Sequence, residues 1–267
     1  MLGPNTWKAR RTRLPRRSAP LVALVGLLVA LFLWHVLVRW AGYPAFFLPS
    51  PAAVARRFGL ALRQGILIEH TLVTLGEVFG GLALGLSAAT ILGYLLAKSE
   101  RLERLIAPYL VASQAVPIVA LAPLLVIWFG SGSLSKVLVC ALTLFFPVLM
   151  NTIVGIRSVD RGMVELMRSL GSTRWQIFAY LEVPAALPVL MGGLKIGVTL
   201  SVIGAVVGEF VAADRGLGFL VNLARGLFDT PLMFVALVTL MAIALTLYGI
   251  VDRLEHWLLA WYQPNNH

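Results

Sequence analysis

Charge is what this chain has least of. Aspartate, glutamate, lysine and arginine make up 13% of its 267 residues, whereas a typical soluble domain carries about a quarter. A surface so poor in charge excludes an ordinary water-soluble globule. Cysteine is nearly missing too: Cys140 stands alone in an apolar run, so no internal disulfide can form and no cluster has metal-ligand spacing. His35, His70, His256 and His267 are scattered, and no Ser/His/Asp order sits near a plausible pocket. No catalytic constellation is present, and the chain is not read as an enzyme. None of the lysines, Lys8, Lys98, Lys136 and Lys195, follows a glycine, which excludes a phosphate-cradling G-x-x-x-x-G-K-[ST] loop. If ATP drives this protein, a separate subunit must bind it with its magnesium, and no cofactor is expected in this chain.

What the chain has instead is hydrophobic length. Apolar residues reach 59%, and six runs, at 20–39, 71–97, 105–129, 136–156, 184–210 and 231–251, approach or exceed the roughly 20 residues that cross a ~30 Å hydrocarbon core. The expected fold is all-α, a polytopic membrane bundle of about six transmembrane helices. It divides into a basic tail at 1–19, a six-span domain at 20–256 and a second tail at 257–267.

An even number of spans puts both termini on one side. Lys8, Arg10, Arg11, Arg13, Arg16 and Arg17 precede the first run, and Lys98, Arg101 and Arg104 follow the second. Basic loops stay in the cytoplasm, so both termini and the 98–104 loop are expected there, with Arg56, Arg57 and Arg63 as the exceptions outside. The first run, Leu21 to Val38, is longer than a signal-peptide core and ends in Arg39-Trp40 rather than at small residues, so it reads as a retained anchor. The net charge of +10 clusters beside the spans, where anionic membrane lipid explains it better than nucleic acid.

One polar island interrupts the pattern. Arg157, Asp160, Arg161, Glu165, Arg168, Arg174 and Glu182 cannot lie in hydrocarbon and must meet something aqueous, which points to another protein. Ser158 or Asp160 can cap a short helix, Gly171 suits the left-handed residue that ends it, and Thr173-Arg174-Trp175-Gln176 has capping-box spacing for a second helix. Pro184 then falls where a new helix re-enters the bilayer. The result is a helix-turn-helix elbow at the membrane surface.

The order Glu165-Leu166-Met167-Arg168-Ser169-Leu170-Gly171, then nine residues, then Leu181-Glu182-Val183-Pro184, resembles the cytoplasmic "EAA" coupling loop of the membrane subunits of ABC importers. Leu166 and Met167 stand for its two alanines. The likeness extends through Leu48-Pro49-Ser50-Pro51, Ser113-Gln114-Ala115-Val116-Pro117, Trp128-Phe129-Gly130, Phe146-Pro147, Asn151-Thr152, Arg157-Ser158-Val159-Asp160 and Gly208-Glu209, over roughly residues 45 to 255. These resemble the permease branch serving nitrate, sulfonate, taurine, riboflavin and thiamine-precursor pyrimidine uptake, and most of all its riboflavin and pyrimidine-precursor members. The resemblance implies a homodimeric permease in the bacterial inner membrane, a coupling loop at about 157–183 with Glu165 to Gly171 as its contact, two partner ATPase subunits that bind ATP and Mg, and an extracytoplasmic solute-binding protein that delivers a small-molecule substrate.

The remaining features are read from the residues. Gly81, Gly85, Ala89 and Gly93, and again Gly193, Gly197, Ser201 and Ala205, recur every four residues, as close-packing helix faces do. For the second set, ordinary bundle packing and a place on the pathway or dimer axis both stay open. Pro108, Pro117 and Pro123 predict a kinked third span. Lys195 is read as a gate residue or as interhelical packing, and Glu77 and Glu209 as structural groups near an interface. Candidate pathway residues are thus Pro117, Lys195, Gly197 and Ser201. Val54, Phe58, Leu62 and Ile66 predict a short amphipathic helix at the outer surface. An ion-coupled secondary transporter, the rival class, needs midplane carboxylates or span repeats, and neither is evident.

Overall fold

The computed structural model describes residues 19–42, 44 and 46–260, and among these helix is the only regular structure. The basic cluster from Lys8 to Arg17 and the segment beyond residue 260 lie outside the described residues, and with them most of both expected tails. Four helical stretches are long and apolar enough to cross a bilayer: α3 (Ile66–Lys98), α6 (Ser133–Arg157), the continuous run Arg174–Ala212 and α11 (Thr230–Leu258). The run is built from α8 (Arg174–Ile177), one wide π-helical turn (Phe178–Glu182) and α9 (Val183–Ala212). A 23-residue helix, α1 (Ala19–Ala41), stands at the place of the first expected span.

The third expected span is not one kinked helix. It is two, α4 (Glu100–Gln114) and α5 (Ile118–Phe129), bent by 95°. Pro117 explains the break: it brings no N–H, and its ring drives Val116 out of the helical region, so the chain closes on tight bonds from Ala115 N to Ala112 O (3.2 Å) and Val116 N to Ser113 O (3.3 Å). Pro108 and Pro123 sit inside the two helices without breaking them.

Glycine decides how the bundle packs. Lipid tails are as apolar as leucine, so helices gain little from hiding apolar surface from one another and gain instead from close backbone approach. A Cβ added at Gly81 would lie 2.1 Å from Cys140 Cβ, and one at Gly85 would lie 2.7 Å from Ala141 O. On the other side, a Cβ at Gly204 would lie 2.7 Å from Cys140 Cα, and one at Gly193 would lie 2.9 Å from Asn151 Cβ. Both small-residue faces therefore close on α6, which is the middle helix, between α3 and α9. Ser201 completes the sandwich by donating to Val78 O at 2.9 Å.

The expected amphipathic helix is α2 (Pro51–Arg63), with Ser50 Oγ accepting from Ala53 N at 3.2 Å. Arg57 fastens it to α11 through Nε and Nη2, both 2.8 Å from Asp229 Oδ2, while Asp229 Oδ1 caps α11 by accepting from Leu232 N. One helix was not expected: α10 (Leu217–Gly226), whose Leu217, Leu220, Val221 and Ala224 are buried.

Candidate functional site

The elbow forms as its punctuation dictates. Asp160 accepts from Gly162 N at 2.7 Å and starts α7 (Arg161–Ser169). Gly171 ends it at φ +80°, with Gly171 N bonded to Arg168 O and Ser172 N to Met167 O, both at 3.0 Å. That pair of bonds is the Schellman arrangement, and it needs a left-handed residue at Gly171. Thr173 and Gln176 then form a reciprocal capping box, and α8 begins. Here the expectation of a separate re-entering helix at Pro184 is corrected: the chain stays helical from Arg174 to Ala212. Pro184 lies inside this continuous helix and brings no N–H to its ladder, and the wide π-helical turn Phe178–Glu182 immediately before it is where the ladder changes register.

No residue of α7 is buried. Its two faces differ. Met163, Leu166 and Leu170 are exposed and belong to none of the buried clusters formed by the described residues. Glu165 and Arg168 instead line a cavity of about 540 Å³, together with Lys98, Glu103, Arg104 and Arg157, where α7 overhangs the ends of α3, α4 and α6. Two ion pairs hold this overhang. Arg157 Nη1 donates to Glu103 Oε1 at 3.0 Å, its Nη2 pairs with Glu103 Oε2, and Lys98 pairs with the buried Glu182 of the wide turn. Tyr94 also donates to Glu182, at 3.2 Å. The elbow is thereby fastened to α3 and α4 on one side and continuous with α9 on the other. Beyond the turn at Gly171, α8 runs through the wide turn into α9 as one helical stretch from Arg174 to Ala212.

The other candidates sit elsewhere. Pro117 lies at the exposed bend between α4 and α5. Gly197 faces Val148 of α6, and Ser201 is fully buried against α3. Lys195 reaches across to α11, where it donates to Asp252 Oδ1 at 2.6 Å, pairs with Glu255 and lies over the Tyr248 ring at 5.6 Å. At the end away from the elbow, Glu209 accepts from Thr74 Oγ1 at 2.6 Å and from Gly218 N, while Leu217 N donates to Thr74 Oγ1 at 2.8 Å and Gly216 N to His70 Nδ1 at 2.9 Å. Lys136 Nζ stands 3.9 Å from Glu77 in the same cluster, and both side chains are buried. Glu77 is deeper than the sequence indicated because α3 begins at Ile66, five residues before the expected span. Lys98 and Glu182, 84 residues apart, had no local signal to join them; Asp229 before Thr230-Pro231 did have one, as a helix cap.

Known proteins give the context. The family model described as "Binding-protein-dependent transport system inner membrane component" matches residues 81–259. The riboflavin transport system permease protein RibX of Chloroflexus aurantiacus is 53% identical over 260 residues, 97% of this chain and 96% of that one. The formylaminopyrimidine transport permease protein ThiX of Halalkalibacterium halodurans is 38% identical over 234 residues, 88% and 93% of the two chains. Among solved structures, an inward-facing form of the MetNI methionine ABC transporter superposes with a TM-score of 0.59 at 19% identity, covering 72% of this chain and 94% of that one, which is a likeness of fold.

Proposed function

This chain belongs to the family of binding-protein-dependent transport system inner membrane components and is the membrane-spanning permease subunit of an ABC importer; we propose that its cargo is riboflavin. The observation that carries the proposal is the 53% identity to a riboflavin permease along nearly the whole of both chains. A thiamine-precursor pyrimidine is the second reading, on the 38% identity to a formylaminopyrimidine permease.

In this reading two copies of the chain enclose the pathway, since one bundle carries one elbow. Two separate ATPase subunits hold ATP and magnesium and receive the elbows, and a solute-binding protein presents the cargo from outside. The elbow end is cytoplasmic: Lys98, Arg101, Arg104, Arg157, Arg161, Arg168 and Arg174 crowd it, as cytoplasmic loops require. Within Glu165 to Gly171, Leu166 and Leu170 form the docking face with Met163, Met167 and Ser169 support it, Gly171 sets its angle, and Glu165 and Arg168 face back toward the bundle. Closure of the ATPases moves α7, and α9 with it, between inward and outward access.

The test is uptake and association together. Cells lacking riboflavin uptake and expressing this permease with its ATPase and binding protein are expected to take up labelled riboflavin. Leu166→Glu and Gly171→Val are expected to insert normally but to lose ATPase copurification and uptake at least tenfold, because the first puts a charge in an apolar contact and the second a β-branched residue at φ +80°. Uptake of labelled formylaminopyrimidine with none of labelled riboflavin would transfer the assignment to the second reading. Full association in both variants would remove the elbow from the coupling role.

A further inference from the structure

Beside the elbow, two cavities of opposite character adjoin. One, about 270 Å³, is a mainly apolar furrow between α3, α6 and the start of α9, where Ile91, Leu95, Ile156, Phe178, Val183 and Leu190 form the walls and Thr90 and Thr152 also line it. The other, about 280 Å³, lies toward the elbow and is lined by Lys98, Arg168, Arg174 and Glu182. Tyr94 belongs to both and marks the boundary.

The charges in the polar cavity do not cancel. Glu182 is engaged by Lys98, whereas Arg168 and Arg174 have no carboxylate partner among the described residues. Two cations without a carboxylate partner therefore line a space that adjoins the apolar furrow at Tyr94. Aromatic rings sit at the seam: Phe178 packs edge-on to Tyr94 at 5.3 Å and against Trp175 at 5.3 Å, and Trp175 itself is 71% exposed. Tryptophan and tyrosine prefer that level of a bilayer, where headgroup meets acyl chain.

We propose that this composite cleft binds one anionic phospholipid of the inner leaflet, its acyl chain along the Ile91–Leu190 furrow and its phosphate between Arg168 and Arg174. A soluble anion would satisfy the arginines but leave the furrow empty, an uncharged lipid would fill the furrow but leave the arginines unpaired, and a zwitterionic phospholipid brings beside its phosphate a cation that the two arginines repel. A single diacyl phosphate matches both. The lipid then rests against the wide turn that links elbow to α9, so its presence supports the segment through which α7 acts. The proposal rests on the permease assignment and on a cytoplasmic elbow, but not on the cargo or on the ATPase contact.

The test reads the lipid itself. The intact permease–ATPase complex, delipidated in detergent and titrated with phosphatidylglycerol or phosphatidylcholine of the same chains, is followed by native mass spectrometry. Phosphatidylglycerol is expected to be retained in preference to phosphatidylcholine. Arg174→Gln is expected to weaken its retention about fivefold, the effect of one cation near an anionic headgroup. Leu95→Trp, on a half-exposed position whose enlargement narrows the furrow, is expected to weaken both lipids alike. Equal retention of the two lipids, displacement of phosphatidylglycerol by inorganic phosphate at millimolar concentration, or unchanged retention in both variants would each overturn the proposal. Because the readout is bound mass and not transport, its failure leaves the cargo and coupling assignments standing.

Discussion

At the scale of single residues, Gly216 is the least replaceable position away from the elbow. Its φ of +111° disfavours any side chain, and a Cβ there would lie 2.2 Å from Glu209 Cδ, inside the cluster that ties the 213–216 loop and the start of α10 to α3. Gly216→Ala is expected to destabilise the protein by at least about 1–3 kcal/mol, since it adds backbone strain to a clash with a buried carboxylate. Thermal unfolding in detergent measures it, with Gly249→Ala as control: nothing lies within 4 Å of that glycine, and its change is expected to stay within about 1 kcal/mol. Equal melting temperatures for the two variants would contradict the account. Lys195 teaches a related lesson. In the sequence it is an unexplained charge within a span, open to a gate role but more readily read as interhelical packing. In the structure Asp252 and Glu255, more than fifty residues away, surround it, and neither could be assigned to it beforehand.

At the scale of elements, the small-residue faces change their meaning. A face of Gly197, Ser201 and Gly204 on the fifth span suits a dimer axis as well as a neighbour in the same chain, but these residues press against α6 and α3 of their own protomer. Gly204→Leu is thus expected to impair folding of the single chain, because its side chain would meet Cys140 Cα within 2.7 Å. The measurement is the yield of folded permease after solubilisation. A fall to a small fraction of wild type, without accumulation of intact monomer, is expected; a stable monomer that fails only to dimerise would return this face to the dimer axis. The elbow was far more legible. Asp160, Gly171, Thr173 and Gln176 act on backbone groups within five residues of themselves, so their roles could be read in order along the chain. The bend at Pro117 was legible as a defect, but its size was not, since 95° depends on what α4 and α5 each pack against.

At the scale of the whole molecule, α6 runs from Ser133 to Arg157, so Ser133 and the elbow lie at opposite ends of a helix roughly 36 Å long at 1.5 Å per residue. Single cysteines at Ser172 and Ser133, in a Cys140→Ala background, are therefore expected to label from opposite faces of the membrane. In intact cells an impermeant maleimide reaches Ser133 and not Ser172 if the elbow is cytoplasmic. The reverse pattern would invert the orientation and, with it, the side from which ATP drives the transporter.

By itself the sequence determined the length and number of apolar runs, the polar island and the local caps that shape it, because burial in hydrocarbon and capping of backbone groups act over one run or one turn. Only the tertiary structure decided which glycine face meets which helix, which carboxylate answers Lys98, Lys136 or Lys195, and which side of α7 is left open. The physical reason is the solvent. In water an apolar stripe points to the core, but in a bilayer the lipid-facing side is as apolar as the packed side, so hydrophobic periodicity marks a span without saying which way it faces.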